Sequence, residues 1–205
     1  MSQISAEDLH LWRGEVHVLR GLSFSLEAGQ CLQVSGANGS GKTTLLRALC
    51  GLMPLERGRV YWRGADIASD PSLYHAQLCY LGHENGLKGD LTVSENLHYG
   101  TALRRRLRSG ELSAALASVE LPGYAGMPLR WLSAGQRRRV ALARLTLMDA
   151  ALWILDEPGS NLDSAGQQLL HHLLERHVHS GGAAVVATHQ ELRLEAGRLE
   201  SLSLQ

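Results

Sequence analysis

Lysine is almost missing from this chain. Of its twenty basic residues only Lys42 and Lys88 are lysines; the rest are arginines. Neither sign of charge dominates: twenty Lys+Arg meet twenty Asp+Glu, the formal net charge is zero and the pI is about 7.2. That balance excludes a polyanion binder held by bulk positive charge, so no nucleic-acid partner is expected. Cysteine is scarce too. Cys31, Cys50 and Cys79 are odd in number, widely spaced and form no Cys-x-x-Cys, which argues against a disulfide framework or zinc knuckle and for a reducing compartment. Long apolar runs are absent. Stretches such as Ala183 to Ala187 fall far short of the roughly 20 residues that span a bilayer. The opening MSQISAEDLH has neither a basic n-region nor an apolar h-region, so no signal peptide is expected. Internal repeats, low-complexity tracts and long linkers are also lacking. What remains is a neutral chain of 205 residues, 44% hydrophobic and 20% charged, able to bury one sizeable core.

Periodicity divides that chain into alternating strands and helices. Leu9 to Trp12, Leu22 to Leu26 and Cys31 to Ser35 read as a β-rich start. A Gly-rich turn follows, then a helix from about Lys42 to Cys50, which Gly51 is placed to end. Arg59 to Arg63 and Leu78 to Leu81 read as strands. From about Thr92 to Val119 the pattern turns helical, with a break near Ser109-Gly110. Ala134 to Met148 and Ser164 to Val178 are further helices. Ala151 to Leu155 and Ala183 to Ala187 suit strands buried on both faces. The expected class is α/β, with a mostly parallel core sheet. It forms one domain over 1–205, interrupted at about 85–130 by a helical insertion. His171, His172, His177 and His179 match no standard metal-ligand spacing and read as a solvated helix face. Arg104, Arg105, Arg106 and Arg108 read the same way, with contact to anionic lipid or a partner as the alternative.

Three motifs carry chemistry. Gly36-Ala37-Asn38-Gly39-Ser40-Gly41-Lys42-Thr43-Thr44 follows a strand and opens a helix, as G-x-x-x-x-G-K-[ST] requires. Its glycines let backbone N–H groups curl toward phosphates, and the helix N-terminus adds its positive end. Lys42 offers a compact charge to β- and γ-phosphates, and the Thr43 hydroxyl can ligate Mg²⁺. The second motif, Leu152-Trp153-Ile154-Leu155-Asp156-Glu157, delivers two acids to the carboxyl end of a buried strand, where α/β ligand sites lie. Asp156 would hold Mg²⁺, directly or through water, and Glu157 would polarise an attacking water. The third, Leu132-Ser133-Ala134-Gly135-Gln136, is a small-residue turn at a helix start, another phosphate-binding device.

Leu-Ser-Ala-Gly-Gln resembles the signature motif of the ABC ATPases, and the likeness runs in order from about Trp12 to His189. The resemblance implies ATP as ligand and a homodimer. Ser133, Ala134, Gly135 and Gln136 of one copy then close on the γ-phosphate held by the other. Ser160-Asn161-Leu162-Asp163 looks like the D-loop at that interface, and His189 like the switch histidine. Trp12 either stacks on adenine or is a core tryptophan. The Q-loop glutamine of the family falls at His83; in its place stand His83 and Glu84, either of which could substitute with different geometry. Gly-His-x-x-Gly-Leu-Lys at 82–88 and Leu-Thr-x-x-Glu-Asn-Leu-His at 91–98 are similar to the cytochrome c biogenesis, heme-exporter (CcmA) type. That type implies an integral permease subunit of the CcmB type, CcmC- and CcmE-type components, and a place on the cytoplasmic face of the bacterial inner membrane, with the membrane reached through the partner. Its ATPase drives heme export or release of a heme-loaded chaperone. The alternatives are another single-cassette ABC transporter or a soluble ABC ATPase, although neither a coiled-coil insertion nor a second cassette is present. A kinase or GTPase using the same loop would leave the signature unexplained.

Overall fold

The computed structural model describes residues 2–102 and 104–204. Five parallel strands form its central sheet: β3 (Cys31–Gly36), β6 (Leu78–Leu81), β7 (Leu152–Asp156), β8 (Ala183–Ala187) and β9 (Leu199–Leu204), in the order β6-β7-β8-β3-β9. Every residue of β7 and β8 is buried, as continuous apolar runs in a covered parallel sheet should be. Strand pleating sends alternate side chains to opposite faces. Trp153, Leu155, Ala184 and Val186 therefore enter one core, and Leu152, Ile154, Val185 and Ala187 the other.

The second core is closed by α1 (Lys42–Leu49) and by an antiparallel sheet. That sheet comprises β1 (Ser2–Arg13), β2 (Val16–Glu27), β4 (Arg57–Trp62) and β5 (Ala65–Asp66), in the order β2-β1-β4-β5. β1 is much longer than the expected Leu9 to Trp12. Its buried apolar residues are Ile4 and Ala6, then Leu9 and Leu11, so the alternation slips by one at Asp8. A bulge there, with Asp8 at φ 49, lets one strand keep its apolar face inward through the slip.

The first core is closed by α3 (Val93–Ala102), α4 (Glu111–Ser118), α5 (Ala134–Leu147) and α6 (Ser164–His179). Thr92 and Glu95 form reciprocal bonds at the start of α3, in which each backbone N–H donates to the other side chain. The sequence pattern had not suggested β5, β9 or α2 (Pro71–Gln77).

Two expectations about charged or polar clusters are corrected. α3 ends at Ala102, so the arginine run lies beyond it rather than on a helix face. Arg104 donates to the Leu78 carbonyl, and Arg105 to the Leu147 carbonyl and the Glu111 carboxylate; these groups tie chain ends together. Among the helical histidines, His172 and His179 are exposed, but His177 is buried. Its ring stacks on Trp153 with centroids 4.0 Å apart, and its Nε2 is 3.0 Å from the Ala183 carbonyl.

Candidate active site

The carboxyl ends of β3, β7 and β8 converge on one cleft of about 530 Å³. Each strand delivers a different chemistry there. β3 runs into the Gly-rich turn and α1, β7 ends in Asp156 and passes to Glu157, and β8 leads through Thr188 to His189. His83, which follows β6, also lines the cleft.

Gly41 caps α1 with φ 100, and a Cβ on it would collide with the Val18 side chain of the β1–β2 hairpin. Only glycine suits both demands. No side chain caps α1, so its first N–H groups are left for a ligand, where the helix end favours an anion. Lys42 is 8% exposed, and its Nζ donates to the carbonyls of Gly36 (2.8 Å) and Ala37 (3.1 Å) and lies 3.3 Å from His189 Nε2. The ammonium is thus folded into the loop by two backbone carbonyls. The Thr43 hydroxyl donates to Asp156 Oδ2 at 2.8 Å. This pair offers two hard oxygens side by side, a donor set suited to a small divalent cation. Ser40 Oγ and Glu157 Oε1 are buried without hydrogen-bond partners. Such atoms call for water or ligand, and both belong to residues the motifs single out. Glu157 Oε1 is 3.4 Å from His189 Nε2, within ion-pair reach of a protonated ring.

Ser133, Gly135 and Gln136 lie elsewhere, in a groove shared with Asn161, Leu162 and Asp163. Ser133 caps α5: its Oγ accepts from the Gln136 N–H, and Gln136 Oε1 accepts from the Ser133 N–H. Ala134 is the first residue of α5. A Cβ on Gly135 would stand 2.9 Å from the Asn161 carbonyl, so the turn must stay small to pack on the 160–163 loop. That loop connects both regions, because Ser160 lines the phosphate-loop cleft while the next three residues line the groove. Asp163 caps α6 by accepting from the Gly166 N–H, and Arg139 reaches both Asp163 and Glu120. The Gly166 N–H first, then Arg139, hold the Asp163 carboxyl below its ordinary range.

Trp12 is 40% exposed, not a core tryptophan, and its ring stacks on His17 at 3.7 Å across the hairpin. Arg13 and Val18 of that hairpin line the cleft. His83 lies between the cleft and a neighbouring groove, whereas Glu84 lines only the latter. Sequence reasoning missed Arg138, the middle one of three successive arginines in α5. It is 1% exposed, among the ends of β6 and β7. Nothing local marked it, since Arg137 and Arg139 flank it with the same side chain.

A phosphate loop, a paired acid end, and a small-residue turn opening α5 on one parallel sheet define an ABC-type ATPase cassette, which binds ATP. The model of the ABC transporter family matches residues 19–160. The cytochrome c biogenesis ATP-binding export protein CcmA 2 of Cupriavidus metallidurans is 47% identical over 199 residues, covering 96% of this chain and 94% of that one. CcmA of Methylococcus capsulatus is 45% identical over 202 residues, covering 98% and 97%. A solved ATP-binding subunit of an ABC transporter superposes with a TM-score of 0.83 at 26% identity, covering 92% of this chain and 80% of that one. The chain belongs to the ABC transporter ATPases and, within them, to the family of cytochrome c biogenesis ATP-binding export proteins. No helix among the described residues is long and apolar enough to cross a membrane.

Proposed function

We propose that the chain is the ATP-hydrolysing subunit of a membrane ABC complex for c-type cytochrome biogenesis, coupling hydrolysis to heme export or to release of a heme-loaded chaperone. What carries hydrolysis is the meeting of Lys42, Thr43, Asp156, Glu157 and His189 in one cleft. The names of the near full-length relatives support the biological setting.

The loop from Gly36 to Thr44 wraps the phosphates, with Lys42 turning from its carbonyl partners to the β- and γ-phosphates. Thr43 and Asp156 hold Mg²⁺, which neutralises charge on the phosphate oxygens when bound. Glu157 accepts hydrogen bonding from the attacking water, and His189 senses the γ-phosphate. Trp12 presents its outer ring face to adenine, backed by His17. His83 takes the Q-loop position in preference to Glu84, because it alone of the two lines the cleft.

The signature residues do not line the cleft of their own chain, which fits a homodimer in which Ser133, Ala134, Gly135 and Gln136 complete the partner copy's site. Ser160, Asn161, Leu162 and Asp163 then run along the shared interface. ATP favours the closed dimer and hydrolysis the open one, and that difference in affinity is the output. One ATPase domain covers 1–205, with a helical subdomain at about 85–130. It sits on the cytoplasmic face of the bacterial inner membrane, held by an integral permease of the CcmB type alongside CcmC- and CcmE-type components.

Deletion with complementation tests the setting. Loss of the chain should abolish covalent heme attachment to c-type cytochromes and leave heme on the chaperone; normal cytochromes would return the assignment to another single-cassette transporter. For the chemistry, Glu157→Gln should retain ATP, form a stable dimer and lose about a hundredfold or more in turnover. Wild-type turnover in that variant would remove Glu157 from its role.

A further inference from the structure

Arg138 occupies the second turn of α5, yet its guanidinium reaches away from that helix into two other segments. Nε donates to the Pro158 carbonyl at 2.9 Å. Nη1 donates to the Gly82 carbonyl at 3.2 Å and to Asn85 Oδ1 at 2.9 Å. Nη2 donates to the carbonyls of Asp156 at 3.1 Å and Glu157 at 2.7 Å. A guanidinium has five N–H groups, and all five are used. No carboxylate is among these acceptors. Burial pulls the Arg138 pKa down to about 10, opposed by Asp156 and Glu157, so the group stays charged at neutral pH.

The backbone it grips is strained. Glu157 has φ 46, a left-handed conformation that is sterically unfavourable for an L-residue with a Cβ. Three bonds oppose relaxation: the Glu157 N–H donates to the Ala187 carbonyl at 2.8 Å, and the Glu157 carbonyl accepts from Arg138 at 2.7 Å and from the Ser160 N–H at 3.0 Å. Arg138 is the closer and the only charged donor to that carbonyl; without it the Ser160 N–H alone holds the carbonyl, and the residue is freer to turn toward an unstrained conformation and carry its carboxylate away from His189. Lysine could not substitute, because its three donors on a single nitrogen cannot reproduce a planar fork spanning two segments.

We propose that Arg138 is a positioning residue that holds Glu157 in its strained, hydrolysis-ready conformation and ties that conformation to the loop at 82–85 and to the signature helix. Movement of either element relative to β7 would then be felt at Glu157. This rests on the reading of Glu157 as the group that activates water.

The test uses the full chain, with ATP turnover measured alongside binding of a fluorescent ATP analogue. Arg138→Lys should bind the analogue within about threefold of wild type yet lose about tenfold or more in kcat, because the phosphate-loop contacts are untouched. Unchanged kcat, or a loss confined to KM, would overturn the proposal. Asn85→Ala removes only the side-chain link to the loop and should fold even if Arg138→Lys does not. A kcat lowered about threefold at unchanged KM is expected, and wild-type kcat would refute the tie to the loop. In a Glu157→Gln background, Arg138→Lys should add nothing to the loss in single-turnover rate. Losses that multiply would mean Arg138 acts by another route. Wild-type turnover in Glu157→Gln alone would instead sink the role of Glu157, a separate failure.

Discussion

Stacked on Trp153 and shut from water, the His177 ring has its pKa lowered from 6.5 to about 4 by burial, against a smaller opposing effect of the Ala183 carbonyl. The unfolded chain takes up this proton as pH falls through 6.5, whereas the folded chain resists until about 4. Below 6.5 the unfolded state therefore binds more protons, and stability falls with pH. The contribution lost between pH 7.5 and 5 is about 2 kcal/mol. Urea midpoints of wild type and His177→Phe at those two pH values measure it. The variant should lose less stability on acidification, and equal losses would refute the assignment. At the cleft, His83→Ala should lower turnover about tenfold and raise the Mg²⁺ requirement, as removal of a group near a metal site does. Unchanged turnover with unchanged cytochrome yield would show that His83 is idle. Residue-scale chemistry was legible where a motif holds its own residues close, as from Gly36 to Thr44. It was illegible for His177 and Arg138, whose burial depends on where distant strands arrive. Ala183 and Trp153 decide which of four histidines turns inward, and the carbonyls of Gly82 and Asp156 decide which of three arginines does.

Elements were legible in proportion to how cleanly their periodicity ran. Leu78–Leu81 and Ala183–Ala187 are bounded where the sequence suggests, because each is an unbroken apolar run entering the sheet. The long strand β1 was half read, since the slip at Asp8 disguises one strand as a fragment. β9 escaped because only Leu199, Leu202 and Leu204 turn inward at all, and an edge strand needs no more. For α2 the signal was present and passed over. Asp70 accepts from the Leu73 N–H at 2.9 Å and Pro71 opens the helix, the usual cap and first-turn pair. Asp70→Ala should cost about 1 kcal/mol in denaturant unfolding while ATP turnover stays at the wild-type level. A fall in turnover would tie α2 to the site in a way its position does not suggest.

For the whole molecule, the separation between the phosphate cleft and the Ser133 groove has a direct consequence. On the proposed homodimer, two inactive variants, Lys42→Ala and Ser133→Arg, would each spoil both composite sites but by different halves. Mixed in equal amounts they should form heterodimers with one intact site, recovering about a quarter of wild-type turnover if subunits pair at random. No recovery under conditions where the chains exchange would argue against composite sites. The balanced charge also offers no net positive charge to attract an anionic lipid surface, so the proposed membrane recruitment falls to specific contacts. The scarcity of lysine turns out to have a practical side. Lys42 is buried with its Nζ engaged by two carbonyls, while Lys88 is exposed with its Nζ 4.4 Å over the Tyr99 ring. With no other side-chain amine in the molecule, an amine-selective crosslinker should mark Lys88 and spare Lys42. Lys88 is thus the one accessible side-chain amine, set in the 82–88 loop itself, and whatever is captured through it is a neighbour of that loop.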